Sequence, residues 1–301
     1  MLVTVVALGL GSAIVYGASD FLGGFAARRI HLVTATLFNY AIATVAILIA
    51  ALAVGGEWSA GAIEAGVICG VLAVFGLLAF YGVLAIGPMS LLSPLIALIQ
   101  SVVPIVVATL TGQALGPIAW VAIGVGIVAL VLLAPRREAG RQHISARGAI
   151  LAVVSGLLLG GSLVALDFAP RASGVIPAVW EIGSGLVVLC AVWLVLRLLP
   201  RRWSTSGALA FLQPGPDAVA TLSANRAWAA AAASGLLTAV ADAFIVVDLH
   251  IGNLAIVSVL VALYPVLTVI LAATVLKERI TALQFVAIGL VIVASLLFTV
   301  S

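Results

Sequence analysis

"HIGNLAIVSVLVALYPVLTVILAATVLKER" occupies residues 250–279. It reads as a turn, an apolar run and a charged stop. Gly252-Asn253 breaks whatever precedes it. Residues 254–276 carry no charge, and Lys277-Glu278-Arg279 closes the run. A bilayer's hydrocarbon core takes about 20 apolar residues of helix to cross, and this stretch is long enough. Pro265 lies inside it and removes a backbone donor. The carbonyl this frees is tolerated at membrane depth where it lines a cavity.

Outward from this stretch the pattern recurs along the chain. Apolar runs predict spans at 2–27, 33–54, 61–86, 90–112, 116–134, 146–168, 174–199, 226–249, 254–276 and 281–300. Gly55-Gly56, Gly87-Pro88, Gly116-Pro117, Pro135, Gly174 and Pro200 mark turns between them. Of 301 residues, 65% are hydrophobic and 8% charged, against about 25% charged in a soluble domain. Such a chain cannot cover itself with polar groups in water, so lipid is its solvent. The runs are continuous rather than alternating, which excludes a membrane β-barrel. The fold class expected is an all-α integral membrane protein of ten transmembrane helices. Arginines follow the first span instead of preceding it, which argues against a cleaved signal peptide. Cys69 and Cys190 sit mid-span and read as small buried hydrophobes.

The polar connector at 136–145 divides the chain into 1–135 and 146–301, each with five spans. The second half also carries a polar loop at 200–225, expected to be mobile or a short surface helix. A weak internal repeat joins the halves. "AIGPMSLLSPLIAL" (85–98) matches "HIGNLAIVSVLVAL" (250–263) at a spacing of 165. The same spacing places Gln113 on Glu278 and Gly124 on Gly289. "VYGAS" (15–19) resembles "LGGSL" (159–163), and "LFNYAIA" (37–43) resembles "VWEIGSG" (179–185), pairing Asn39 with Glu181. With five spans per copy, the second must enter the membrane from the opposite side. Inverted repeats of this kind hold substrate near the midplane between the copies.

Twelve of the 13 Lys and Arg residues fall on one face of this topology, and only Arg171 falls on the other. The positive-inside rule makes the rich face cytoplasmic and both termini external.

"VYGASDFLGG" (15–24), "LLAFYGVLAIGPMSLLSPLIALIQSVVP" (77–104) and "LVALYPVLTVILAATVLKERITALQFVAIGLVIV" (260–293) together resemble the drug/metabolite transporter superfamily, of the EamA type. Tyr264-Pro265 followed by the Lys277-Glu278-Arg279 turn is the most specific part. Gln113 stands where the first half would carry the matching Glu. The resemblance covers essentially the whole chain. It implies two inverted five-helix halves and export or exchange of small polar metabolites or drugs. It also implies cytoplasmic termini, which the charge pattern contradicts.

Ionisable groups inside lipid cost about 2.5–3.5 kcal/mol on insertion scales, so each needs a partner or a function. Asp242 lies mid-span with no basic residue within two turns. It is the first candidate for proton coupling, and Glu181 is the second. The bland reading of Asp242 is an inward acid satisfied by Ser or Thr neighbours. That of Glu181 is an acid hydrogen-bonded inside the bundle. Asp20 is a candidate pathway acid or a partner of Arg28 or Arg29. Glycines 17, 23 and 24 around it allow close helix approach. Asp167 and Asp248 read as interface anchors, and His31 and His143 as solvated loop residues. Tyr16, Asn39, Tyr81, Gln100 and Tyr264 complete the candidate pathway. Prolines 94, 104 and 265 point to spans 4 and 9 as its walls, with simple kinks as the bland reading. Trp58, Trp120, Trp193 and Trp203 read as interfacial anchors.

These features lead to a secondary transporter that works by alternating access on a small metabolite, amino acid or drug. Export would be driven by exchange or by protons. The acidic and aromatic candidates favour a cationic or zwitterionic cargo. No GxxxxGK[ST] loop is present, no His and acid spacing fits a metal site, and no cofactor is expected. The basic loops lack interleaved aromatics, so nucleic acid is not an expected partner. An intramembrane lipid-modifying enzyme would need clustered Arg, His and acid with a nucleophile. The other alternative is a non-transporting membrane scaffold or channel, and a channel would show rings of like groups. Neither pattern is in the sequence, and no catalytic residue is expected. Two halves in one chain suit a monomer or a weak homodimer.

Overall fold

The computed structural model describes residues 2–27, 29–30, 32–86, 89–133, 146–198, 223–275 and 281–301. The polar stretches at 136–145 and 200–222, with His31, His143 and Trp203, lie outside the described residues. The described chain is helical throughout. Its helices are α1 (Leu2–Ala27), α2 (Leu32–Val54), α3 (Ala60–Ile86), α4 (Met89–Leu110), α5 (Pro117–Leu133) and α6 (Ala146–Asp167). After a single 3₁₀ turn at Arg171–Ser173 come α7 (Ile176–Leu198), α8 (Ala224–Ile251), α9 (Leu254–Ala262), α10 (Pro265–Val275) and α11 (Ala282–Thr299).

Seven of these helices are long and apolar enough to cross a membrane: α1, α2, α3, α6, α7, α8 and α11. Apolar segments at Ile96–Leu110 and Pro117–Leu132 lie within α4 and α5. At 1.5 Å per residue, α1 is about 39 Å long, which exceeds the roughly 30 Å hydrocarbon thickness. Large apolar side chains cover the outer surface, among them Val45, Leu52, Leu110, Val187 and Phe285. Helices apolar on every side fit a lipid surround.

Local sequence explains where the helices start and stop. Pro117 opens α5 at the first helical position, where its missing N–H is no loss. Asn253 caps α9, its Oδ1 accepting the N–H of Ala255. Thr281 and Gln284 form a reciprocal capping box at the start of α11. Between α2 and α3 the chain turns on Gly55 and Gly56, whose φ values are +83° and +143°. A side chain at 56 would also sit 2.5 Å from the Ser173 carbonyl oxygen. Glycine is therefore required for both conformation and space. The Glu57 N–H bonds to Ala172 O at 3.0 Å, so this turn docks on the one between α6 and α7.

One expected feature differs. The run at 254–276 is not one helix. It breaks at Leu263-Tyr264, where the N–H groups of residues 263 and 264 reach back three residues instead of four. Pro265 cannot donate, so the ladder cannot continue through it. Pro177 leaves its helix intact. It lies in the first turn of α7, where a backbone donor has no intrahelical partner in any case.

The packing is by pairs. α1 lies along α8, and α3 lies along α6 and α7. α2 contacts α8 and α7, α4 contacts α6, and α5 contacts α11. All nine residues of α9 are buried. They sit against α1, α4 and α5 at the middle of the largest apolar core, with Val5, Ile105, Leu130 and Phe298 around them.

Candidate functional site

Ser234, Thr238 and Asp242 recur every four residues on α8 and share one face. Tyr16 and Ser19 stand opposite on α1, and Asn39 on α2. The hydroxyl of Tyr16 donates to Asp242 Oδ1. Ser19 Oγ donates to the Ser234 carbonyl at 2.9 Å and lies 2.9 Å from Thr238 Oγ1. Asn39 Nδ2 donates to Ser234 Oγ at 2.7 Å. Asp242 is 3% exposed, so Tyr16 is a buried carboxyl's partner rather than a surface contact. Leaving such a group unsatisfied costs about 1–3 kcal/mol, more if it is charged. The small side chains let α1 and α8 close on each other, and a Cβ at Gly23 would meet Ser234 Oγ at 3.2 Å.

Glu181 projects from the second turn of α7 toward the same region. Its carboxyl lies within electrostatic reach of Asp242 and within hydrogen-bond reach of the Cys69 thiol on α3. Tyr16 is in turn within reach of Glu181 and Tyr40. Glu181 Oε2 is buried and without a hydrogen-bond partner. Backbone approach holds this helix in place. A Cβ at Gly70 of α3 would lie 2.0 Å from the Glu181 carbonyl oxygen. In the same way, a Cβ at Gly235 of α8 would lie 2.5 Å from the Asn39 carbonyl oxygen.

Of the expected pathway residues, Tyr16, Asn39, Glu181 and Asp242 therefore converge. Asp20 does not join them: it is exposed on α1, one turn beyond Tyr16. Of its neighbouring glycines, Gly23 makes a close approach and Gly24 faces open space. Gln100 is half-buried, and its backbone is a neighbour of Gly160 on α6. Tyr264 sits at the break between α9 and α10. The side chains of Tyr81 and Pro94 lie outside the described residues. Pro104 is buried inside an unbroken α4.

Three readings are corrected. Asp242 is satisfied by Tyr16 and not by Ser or Thr neighbours, because Ser234 and Thr238 are engaged by α1 and α2. Asp248 is no interface anchor. It is fully buried, neither carboxyl oxygen has a hydrogen-bond partner, and Oδ2 packs against Gly9 of α1. Its position one helical turn inside the end of α8 turns it toward α1 instead of outward. Cys190 is exposed on α7, whereas Cys69 is buried as expected. Ser19, Ser234, Thr238 and Cys69 also belong to the cluster, although none carries the charge that makes an intramembrane residue stand out in sequence. The four-residue rhythm of small polar residues on α8 was the signal for two of them.

Among the described residues, no group of three His, Cys, Asp or Glu closes on a metal. Trp58 and Trp120 are exposed near helix ends, and Trp193 stacks under Arg197, whose guanidinium carbon is 4.5 Å from the ring centroid. This cation–π contact belongs to the helix end.

No family model matches the chain, and no curated protein matches it. Solved structures do: 29 chains are similar. One, described only as "Crystal structure of protein", superposes with a TM-score of 0.70 over 96% of this chain and 94% of its own. At 17% identity, that likeness shows a shared fold over nearly the whole chain and carries nothing about activity.

Proposed function

We propose that the chain is a secondary transporter for a small polar molecule, built as two inverted five-helix halves that alternate about a central site. The Tyr16–Asp242 pair carries this reading. It joins the first helix of one half to the third helix of the other, with Glu181 beside it from a fourth direction. A buried Asp242 with a second carboxyl nearby is the kind of arrangement that lets proton and cargo compete for one place.

The packing supports the two-half reading. Exchanging α1 with α6, α2 with α7 and α3 with α8 turns the α1–α8 contact into α6–α3, and α2–α8 into α7–α3. The glycine approaches obey the same exchange. Gly70 meets the carbonyl of Glu181 as Gly235 meets that of Asn39. Gly70 and Gly235 are related by the spacing of 165, and Asn39 and Glu181 by the match of 37–43 to 179–185. Gly124 and Gly289, also paired by sequence, both face open space. The likeness of 260–293 to EamA-type drug/metabolite transporters points the same way.

The mechanism that follows uses the chain's own groups. With the halves closed on one side, Tyr16 holds Asp242 in place. Cargo or a proton arriving from the open side displaces the phenol or protonates the acid. The α1–α8 contact then loosens, and the halves rock to the other side. The proposal places both termini on the external face, opposite the basic residues. Reconstitution in proteoliposomes with an imposed pH gradient tests it, using amino acids and cationic dyes as cargo. Asp242→Asn should abolish gradient-driven accumulation. Accumulation equal to the wild type would remove Asp242 from the coupling step.

A further inference from the structure

A second polar site lies well away from the central carboxyls. At the end of the bundle that holds the α1 start, the α6 and α8 ends and the α9 start, there is a cavity of about 480 Å³. Small-molecule sites commonly occupy about 300–1,000 Å³. Val5 of α1 lines it on one side, and Asp167, Arg171, His250 and Asn253 line it on the others.

Gln113 builds the wall. Its Nε2 donates to Asp167 Oδ2 at 3.1 Å, and its Oε1 accepts the Leu254 N–H at 2.9 Å. One side chain thus fixes the Asp167 carboxyl and the start of α9 together. Among the described residues, none donates to the other oxygen of Asp167. Arg171 is exposed on the 3₁₀ turn, and no described residue pairs with its guanidinium. It lies within electrostatic reach of both Asp167 and His250. His250 Nε2 is buried and has no hydrogen-bond partner. Asn253 lines the cavity too, and it uses only its Oδ1 to cap α9.

The cavity therefore presents one fixed carboxylate oxygen, one unpaired guanidinium, an unpaired imidazole nitrogen and an amide. A bare cation would meet Arg171, and a bare anion would meet Asp167. A molecule carrying both charges a few ångströms apart answers each with its opposite. A guanidinium recognises a carboxylate through two parallel donors, and the Asp167 oxygen accepts from an ammonium. We infer that this cavity is a binding site for a small zwitterion of amino-acid size, separate from the Tyr16–Asp242 centre. The apolar wall beside Val5 takes its side chain. The inference goes beyond the transport reading and stands whether or not Asp242 couples anything.

Equilibrium binding of labelled L-leucine and L-phenylalanine to the full chain in nanodiscs tests it. Their methyl esters (ammonium only) and N-acetyl derivatives (carboxylate only) serve as competitors. At least one free amino acid should compete 10-fold or more better than either of its derivatives. Arg171→Gln should lower its affinity to that of the ester, and Asp167→Asn to that of the N-acetyl compound. Arg171 lies exposed on a turn, and Asn at 167 still accepts from Gln113, so both variants keep the wall. Their melting temperatures check this. The inference is overturned if the wild type binds neither amino acid saturably, if the derivatives compete equally, or if Arg171→Gln binds as the wild type does. Binding lost in Asp242→Asn and kept in Arg171→Gln would move the ligand to the central cluster and also overturn it. The transport reading falls separately, on the pH-gradient assay with Asp242→Asn.

Discussion

Asp242 and Tyr16 are 226 positions apart, and their meeting turns a costly buried carboxyl into a satisfied one. Tyr16→Phe keeps the ring and removes the donor. It should lower stability by about 1–3 kcal/mol, since the acceptor is left buried and unpaired. Thermal denaturation in detergent checks this. Asp242→Asn keeps an oxygen for Tyr16 to donate to, so it should melt much closer to the wild type while losing gradient coupling. The pair of variants separates structure from function at one contact. Each residue could be singled out from sequence alone, Asp242 by its depth and Tyr16 by its place in "VYGASD". Their pairing could not, because it depends on α1 lying along α8. Asp248 shows the converse. Its nearness to a helix end suggested an anchor, yet the direction of the side chain, set by helix rotation, buries it.

For the helices, breaker residues made most boundaries readable. α1 begins and ends where the apolar run does, and α3 differs from its expected start by one residue. Glycines and prolines interrupt a helix for local reasons, so local sequence is enough to find them. The glycines inside helices act differently. Their value depends on what faces them. Gly70→Ala and Gly235→Ala would push a methyl group into a backbone carbonyl that no rotamer can move. Each should cost about 1–3 kcal/mol or more through overpacking. Gly24→Ala points into open space and should be neutral or stabilise by up to about 1 kcal/mol from helix propensity. Melting temperatures of the three variants, measured side by side, check the ordering. Nothing in "ICGVL" or "ASGLL" distinguishes these glycines from Gly24; the neighbouring helix does.

Across the whole molecule, composition alone settles that the helices suit lipid, since charge is too scarce to wet the surface. The direction of insertion rests on the distribution of 13 basic residues. The ends of the described helices gather Arg29, Arg197 and Arg226 at one end of the bundle and leave Arg171 at the other. A C-terminal fusion to a reporter active only outside the cytoplasm should therefore be active, and a cytoplasmic reporter at the same place silent. The opposite pattern would reverse the orientation. In sequence the proposed pairing of halves rests on scattered glycines and turns, too sparse to fix a contact. Packing adds one contact in duplicate: Gly70 lies against the Glu181 carbonyl and Gly235 against that of Asn39.

The break at Leu263-Tyr264 bears on how the protein is made. Nine residues of α9 span only about 14 Å, far short of the bilayer, and all nine are covered by protein. Neither α9 nor α10 could be recognised and released into lipid alone during synthesis. Together residues 254–276 would make one apolar stretch of spanning length, which Pro265 divides locally and whose first part α1, α4 and α5 cover. The proline that splits this stretch thus leaves its first part dependent on cover from neighbours synthesised well before it.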